Sequence, residues 1–228
     1  MLKVQIITLV PELWSTLLGP ESGLVGKAFE QGLAELRMID LRQFGKGVHR
    51  KVDDAPFGGG AGMVLQVEPL HRAIQNAREW SNAPVVLLSP RGERFTQERA
   101  GEWAQGEGIT LICGRYEGVD ERVRDYIDLD LSIGDMVLSA GDPAAWCMVD
   151  CMVRLLPGVL GNPDSIQEES FSSGGLEYPH SSRPASYDDK NVPEVLLSGN
   201  HGAIEQWRSQ AGEALTKSLR PDLLKKGS

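Results

Sequence analysis

Three short runs rich in Val, Ile and Leu are apolar at almost every position: VQIITLV (4–10), APVVLLSP (83–90) and ITLICGRYEG (109–118). A strand with one wet face alternates apolar and polar residues, whereas a strand apolar throughout is covered on both faces. Between the runs lie stretches with helical spacing, VEPLHRAIQNAREW (67–80) and TQERAGEWAQ (96–105). Strand, helix, strand in this order predicts an α/β fold, a parallel sheet with helices on both faces. Ligands of such sheets sit beyond the carboxyl ends of the strands. Those ends carry Ser89-Pro90, the loop Gly114-Arg115-Tyr116-Glu117-Gly118, and the stretch SIGDMVLSAGD (132–142).

The segment after that stretch, PAAWCMVDCMVRLLPG, holds only Asp150 and Arg154 as charges. Asp142 suits a helix N-cap and Pro143 the first helical position, so a helix is expected from there to about Leu156, stopping at Pro157-Gly158. A helix apolar on nearly all sides is buried on nearly all sides. In a chain of 228 residues this points to packing against a second subunit. Cys113, Cys147 and Cys151 are an odd number without metal-ligand spacing, and read as buried free thiols in a cytoplasmic protein.

The net charge of −9 argues against a protein that coats nucleic acid non-specifically, since phosphate binding rests on Lys and Arg. The charge is uneven: residues 192–228 hold 5 basic and 4 acidic side chains, against 2 and 6 in residues 161–191. The opening MLKVQIITLVPELW has too short an apolar run for a signal sequence and reads as the first strand. No apolar run reaches membrane-spanning length, so no membrane association is expected. Residues 161–191 lose apolar periodicity, and 13 of the 31 are Ser, Pro or Gly. The expected organisation is a domain over 1–160, a flexible linker over 161–191, and a small helical domain over 192–228, with Ser198-Gly199-Asn200 capping a helix.

VDDAPFGGGAGM (52–63) is the most glycine-dense segment, with Gly58, Gly59, Gly60 and Gly62. No Gly-Lys-Ser/Thr follows, so it is not a P-loop, and it lacks the setting of a dinucleotide fingerprint. The preceding RMIDLRQFGKGVHRK (37–51) has six basic or histidine side chains against Asp40 alone, which suits RNA backbone contact or a solvated charged face.

VDDAPFGGGAGM, LLSPRG, CGRYEGVDERV, SIGDMVLSAGD, RLLPGVLG, ESF and VLLSGNH occur in one order along the chain. Together they closely resemble the bacterial tRNA (guanine-N1)-methyltransferases of the TrmD type, in the SPOUT superfamily. The resemblance implies a deep C-terminal trefoil knot in the first domain, a homodimer with its active site at the subunit interface, and S-adenosylmethionine as methyl donor. Position by position it assigns the cofactor to Leu88, Ser89 and Pro90, to Gly114, Tyr116 and Glu117, and to Ser132, Ile133, Gly134, Leu138 and Gly141. The product it implies is N1-methylguanine at tRNA position 37, just 3′ of the anticodon. By the same resemblance the general base would be the carboxylate before Ser170-Phe171, here Glu169 where the family typically has Asp, and Arg154 would be the cation facing the guanine. It also implies that Gly59 encloses the target base, and that Asn200, His201, Trp207 and Arg208 grip the anticodon stem-loop. The family's activity involves Mg²⁺, but no metal-ligand cluster is visible in the sequence, so no metal ligand is assigned. The usual Gly-Gly-Glu after the knot strand is Ala140-Gly141-Asp142 here. Two alternatives stand beside this reading: a related SPOUT enzyme with another RNA target, and a catalytically silent protein binding tRNA or S-adenosylmethionine.

Overall fold

A computed structural model describes residues 1–19, 22–161, 165–172 and 174–224. The parts of the expected linker at 162–164 and 173, and the tail at 225–228, lie outside the described residues. The chain divides into two compact units, Met1–Gly161 and Asn162–Ser228.

In the first unit the elements run β1 (Leu2–Thr8), α1 (Pro11–Leu17), α2 (Gly23–Glu30), β2 (Ala34–Asp40), β3 (Asp53–Asp54), β4 (Val64–Leu65), α3 (Val67–Trp80), β5 (Val85–Arg94), α4 (Gln97–Ala104), β6 (Gly108–Cys113), β7 (Leu129–Ser132) and α5 (Asp142–Val153). Five strands form one sheet in the order β2-β1-β6-β5-β7, with every neighbouring pair parallel. β3 and β4 make a separate antiparallel pair.

The near-continuous apolarity of the strands is explained by two cores, one on each face of the sheet. Leu2, Val4 and Ile6 of β1, Val86 and Leu88 of β5, and Ile109, Leu111 and Cys113 of β6 point into a core with α2, α4 and α5. Ile7, Val85, Leu87 and Ile112 point the other way, against Leu70, Ala73, Ile74 and Ala77 of α3. The two-residue period of a strand sends neighbours to opposite faces, and here both faces are apolar. Buried Gln5, Thr8 and Thr110 are the polar exceptions in these strands, and the Gln5 amide donates to Ala77 O (3.1 Å) and Thr110 Oγ1 (3.0 Å).

Four readings need correction. Residues 37–40 of the expected basic stretch form the end of β2, and Arg37 is held by Asn76 O and Oδ1 (3.1 and 2.7 Å). Its long side chain bonds across to α3 because β2 is an edge strand beside that helix. Asp142 does not cap α5: the N-cap is Gly141, and the Asp142 side chain bonds to distant residues instead. α5 ends at Val153, with Arg154 as its C-cap. Cys147 is exposed rather than buried, because it lies on the outward face of α5 with Pro143.

The second unit holds α6 (Ser165–Glu168), β8 (Ser186–Tyr187), β9 (Lys190–Asn191), α7 (Glu194–Leu197) and α8 (His201–Leu219). The stretch expected as linker therefore carries a hairpin. Asp188 and Asp189 both take positive φ (50° and 59°), the turn that joins twisted antiparallel strands with two residues. Asn200 caps α8, its Oδ1 accepting from Ala203 N (3.2 Å).

Candidate active site

A cavity of about 360 Å³ opens at the carboxyl ends of β5, β6 and β7. This is where a parallel sheet presents ligands, and the volume falls within the range of about 300–1,000 Å³ for small-molecule sites. Its walls come from three segments. The first is the end of β5, where the β5–β7 ladder jumps from Leu88 to Glu93 opposite Leu131, so that the intervening residues bulge out. The second is the loop after β6, where Tyr116 holds a positive φ of 60° and Gly118 N closes a turn on Arg115 O (3.1 Å). The third is the loop from Ser132 to Gly141.

The second and third segments meet at van der Waals contact. Gly141 N donates to Gly114 O (2.8 Å), and Arg115 forms an isolated antiparallel bridge with Ala140. A Cβ on Gly141 would lie 2.7 Å from Cys113 Cα and 2.9 Å from Gly114 N, so only glycine fits that crossing.

Leu88, Ser89, Pro90, Gly114, Tyr116, Glu117, Ser132, Ile133, Leu138 and Gly141 all line the cavity. Gly134 is not among the lining residues; it shapes the wall from behind. Its N–H donates to Ser132 Oγ (3.2 Å), which donates in turn to Gly134 O (2.8 Å), and its φ of 151° favours glycine. Arg91, Arg115, Arg124, Val119 and Ala144 also line the cavity and were not singled out from the sequence. Arg115 stands inside the CGRYEGVDERV motif and Arg124 directly follows it, and the alternation of Arg with Asp and Glu there was the available signal.

Beneath the crossing lies a polar knot of side chains around Asp142, which is 1% exposed. Its Oδ1 accepts from Thr8 Oγ1 (2.6 Å) and Trp14 Nε1 (3.1 Å), and its Oδ2 from Arg115 Nη2 (3.3 Å). Burial first, then the Asp142 carboxylate beside it, pushes the Cys113 thiol well above its ordinary value, so this thiol stays protonated.

Gly59 lies in the loop between β3 and β4, where Gly58, Gly59, Gly60 and Gly62 all have positive φ. That loop is tied to the cavity loop, Glu117 N donating to Met63 O (3.0 Å) and Leu65 N to Gly118 O (3.0 Å). Arg154 is half-buried at the end of α5, its N–H on Asp150 O (3.1 Å).

Glu169 belongs to the second unit, where a cavity of about 750 Å³ is lined by Glu168, Glu169, His201 and Arg208 among others. Glu168 is engaged: Tyr178 Oη donates to its Oε2 (3.2 Å) and Arg208 Nη1 lies 3.7 Å away. Arg208 stacks over the Tyr178 ring (4.6 Å), and Trp207 meets the same ring edge-on (6.5 Å). Asn200 serves as the cap already described. Among the described residues no group of three His, Cys, Asp or Glu side chains converges as a metal site. Among them, too, no helix is long and apolar enough to cross a membrane.

The first unit thus defines a class, the parallel α/β proteins with a small-molecule cavity at the carboxyl edge of the sheet. Comparison with known proteins narrows it. The family model for "tRNA (Guanine-1)-methyltransferase TrmD" matches residues 2–226. The chain is 52% identical over 227 residues to the tRNA (guanine-N(1)-)-methyltransferase of Cereibacter sphaeroides, covering 97% of this chain and 90% of that one. It is 49% identical over 225 residues to the like-named protein of Rhizobium johnstonii (98% and 91% covered), and 44% identical over 225 residues to that of Clostridium beijerinckii (99% and 93%). The chain belongs to the TrmD family of tRNA (guanine-1)-methyltransferases.

Proposed function

We propose that this protein transfers the methyl group of S-adenosylmethionine to N1 of guanine at tRNA position 37, acting in the cytoplasm as a homodimer with its active site at the subunit interface. The observation that carries the reading is the first unit's cavity, which gathers ten residues the family resemblance assigns to the cofactor. We read the contact between segments 113–115 and 140–142 as part of a deep trefoil knot. Residues 1–160 are the cofactor domain, 161–191 the connection, and 192–228 the tRNA-binding part, with Gly59 enclosing the target base.

The residues present fit the cofactor. The walls mix apolar side chains with backbone, and the Gly141 crossing lets backbone approach closely where a side chain would fill the space. When bound, S-adenosylmethionine supplies an electrophilic methyl group on a sulfonium. The chain must then make guanine N1 a nucleophile. Glu169 accepts the N1 proton, and Arg154 offsets the negative charge left on O6. With the proton on Glu169 and the charge offset by Arg154, the N1 lone pair would be free to take the methyl group that the bound cofactor would supply, leaving S-adenosylhomocysteine. Glu168 is paired with Tyr178 and Arg208, and Glu169 beside it holds the position that the family resemblance assigns to the base. Asn200, His201, Trp207 and Arg208 hold the anticodon stem-loop, where exposed loop bases are open to recognition. Among the described residues no group of three acidic, His or Cys side chains converges to hold Mg²⁺.

The test is methyl transfer from labelled S-adenosylmethionine to tRNA transcripts carrying G or A at position 37. Transfer to the G transcript alone is expected. Equal transfer to both overturns the base specificity, and cofactor binding without any transfer overturns the activity.

A further inference from the structure

Three guanidinium groups line the first unit's cavity, and each is paired with a carboxylate. Arg91 donates to both oxygens of Glu121 (2.9 and 3.1 Å). Arg124 donates to Glu121 (2.7 Å) and to both oxygens of Asp130 (3.0 and 3.1 Å). Arg115 donates to Asp142 (3.3 Å). The carboxylates of these pairs stand behind the wall, and Glu117 is the one acid among the lining residues. A wall whose positive charges are all compensated, with one acid over, suits a cationic ligand.

The pairs differ in what shields them. The Glu121 side chain is 64% exposed, so water and salt temper its charge, whereas Asp142 is 1% exposed and its charge has no such substitute. Asp142 is also fixed in place, because Thr8 and Trp14 hold its other oxygen. Its partner Arg115 sits where the two cavity segments cross, bridged to Ala140.

We infer that Asp142 sets the charge balance of this cavity by neutralising Arg115, and thereby lets it hold a sulfonium ligand in preference to the neutral thioether of the same shape. The inference rests on the reading of the cavity as the S-adenosylmethionine site. An uncompensated guanidinium repels a sulfonium and leaves S-adenosylhomocysteine nearly indifferent.

Titration calorimetry with S-adenosylmethionine and S-adenosylhomocysteine separates this role from a structural one. Asp142→Asn is expected to weaken S-adenosylmethionine about tenfold and the thioether less than about threefold, the scale of one unit charge acting across a partly screened cavity. Adding Arg115→Met to Asp142→Asn should restore the wild-type ratio of the two affinities. Thr8→Val removes a hydrogen bond to the same carboxylate without removing charge, so it should lower Tm and leave the ratio alone. Equal weakening of both ligands by Asp142→Asn reduces Asp142 to a structural residue and overturns the inference. Should Asp142→Asn not fold, Arg115→Met alone decides: it should shift the ratio severalfold towards the sulfonium, and an unchanged ratio overturns the inference. Wild-type protein that binds neither ligand overturns the reading of the cavity instead.

Discussion

Every buried apolar side chain among the described residues, from Leu2 to Val159, lies in the first unit, while the buried residues of the second are Gly212 and Thr216. The first unit is held by a sheet with apolar packing on both faces. The second relies on a cap, a hairpin turn and contacts around Tyr178, Trp207 and Arg208, with Thr216 Oγ1 accepting from Leu176 N (2.8 Å) and donating to Gly212 O (2.8 Å). A site that must enclose a small molecule needs backbone segments fixed against a dense core. A surface that meets a large polyanion needs exposed polar and aromatic groups instead. The contrast predicts unequal local stability, since segments with few buried apolar contacts open most easily.

The largest expected effect tests whether chemistry and cofactor binding divide between the units. Glu169→Gln should lower methyl transfer by about 10²–10⁴-fold while leaving S-adenosylmethionine affinity unchanged, because Glu169, the proposed general base, lies in the second unit and the cavity in the first. Full activity in that variant removes Glu169 as the base. Next comes Gly141→Ala, which forces a Cβ against the backbone of Cys113 and Gly114. It should cost roughly 1–3 kcal/mol and weaken S-adenosylmethionine while sparing tRNA binding, as calorimetry and filter binding can show. Parallel loss of both affinities would erase the distinction between the units.

Alkaline pH should act through the first unit. The Cys113 thiol is raised in the folded protein, so it favours folding below its ordinary value of 9.0, and that contribution is lost as pH rises above it. Thermal melts should therefore fall above that pH, and Cys113→Ala should flatten the fall. The smallest effect belongs to Thr216→Val, which strips Leu176 N of its acceptor for about 1 kcal/mol. Hydrogen exchange should quicken in α8 and around Leu176 and stay unchanged in β1 and β6. Acceleration throughout the chain would mean that the two units unfold together.

Much of the fold was legible because its signals are local. Apolar runs marked β1, β5 and β6, and helical spacing marked α3 over the same residues, 67–80, that the structure shows. β2 escaped because an edge strand carries polar residues such as Glu35 and Arg37, and β7 because four residues, LDLS, make no pattern. The hairpin at 186–191 hid in a segment whose composition reads as loop. The cavity-lining residues came from matched motifs, whereas Arg91, Arg115 and Arg124 escaped because an ion pair identifies its partner only in three dimensions.

Asp142 shows where the boundary falls. Taken alone, the sequence determined that a helix begins beside it, since proline next to an acidic residue ahead of an apolar run is a local signal. It also determined the two-faced sheet, since that follows from the apolarity of each strand. What Asp142 does was decided only by the tertiary structure. Its hydrogen-bond partners Thr8, Trp14 and Arg115 lie 134, 128 and 27 residues away along the chain. A capping rule sees three or four neighbours; a buried carboxylate takes whichever donors the fold brings to it, because leaving it unpaired would cost more than any cap returns.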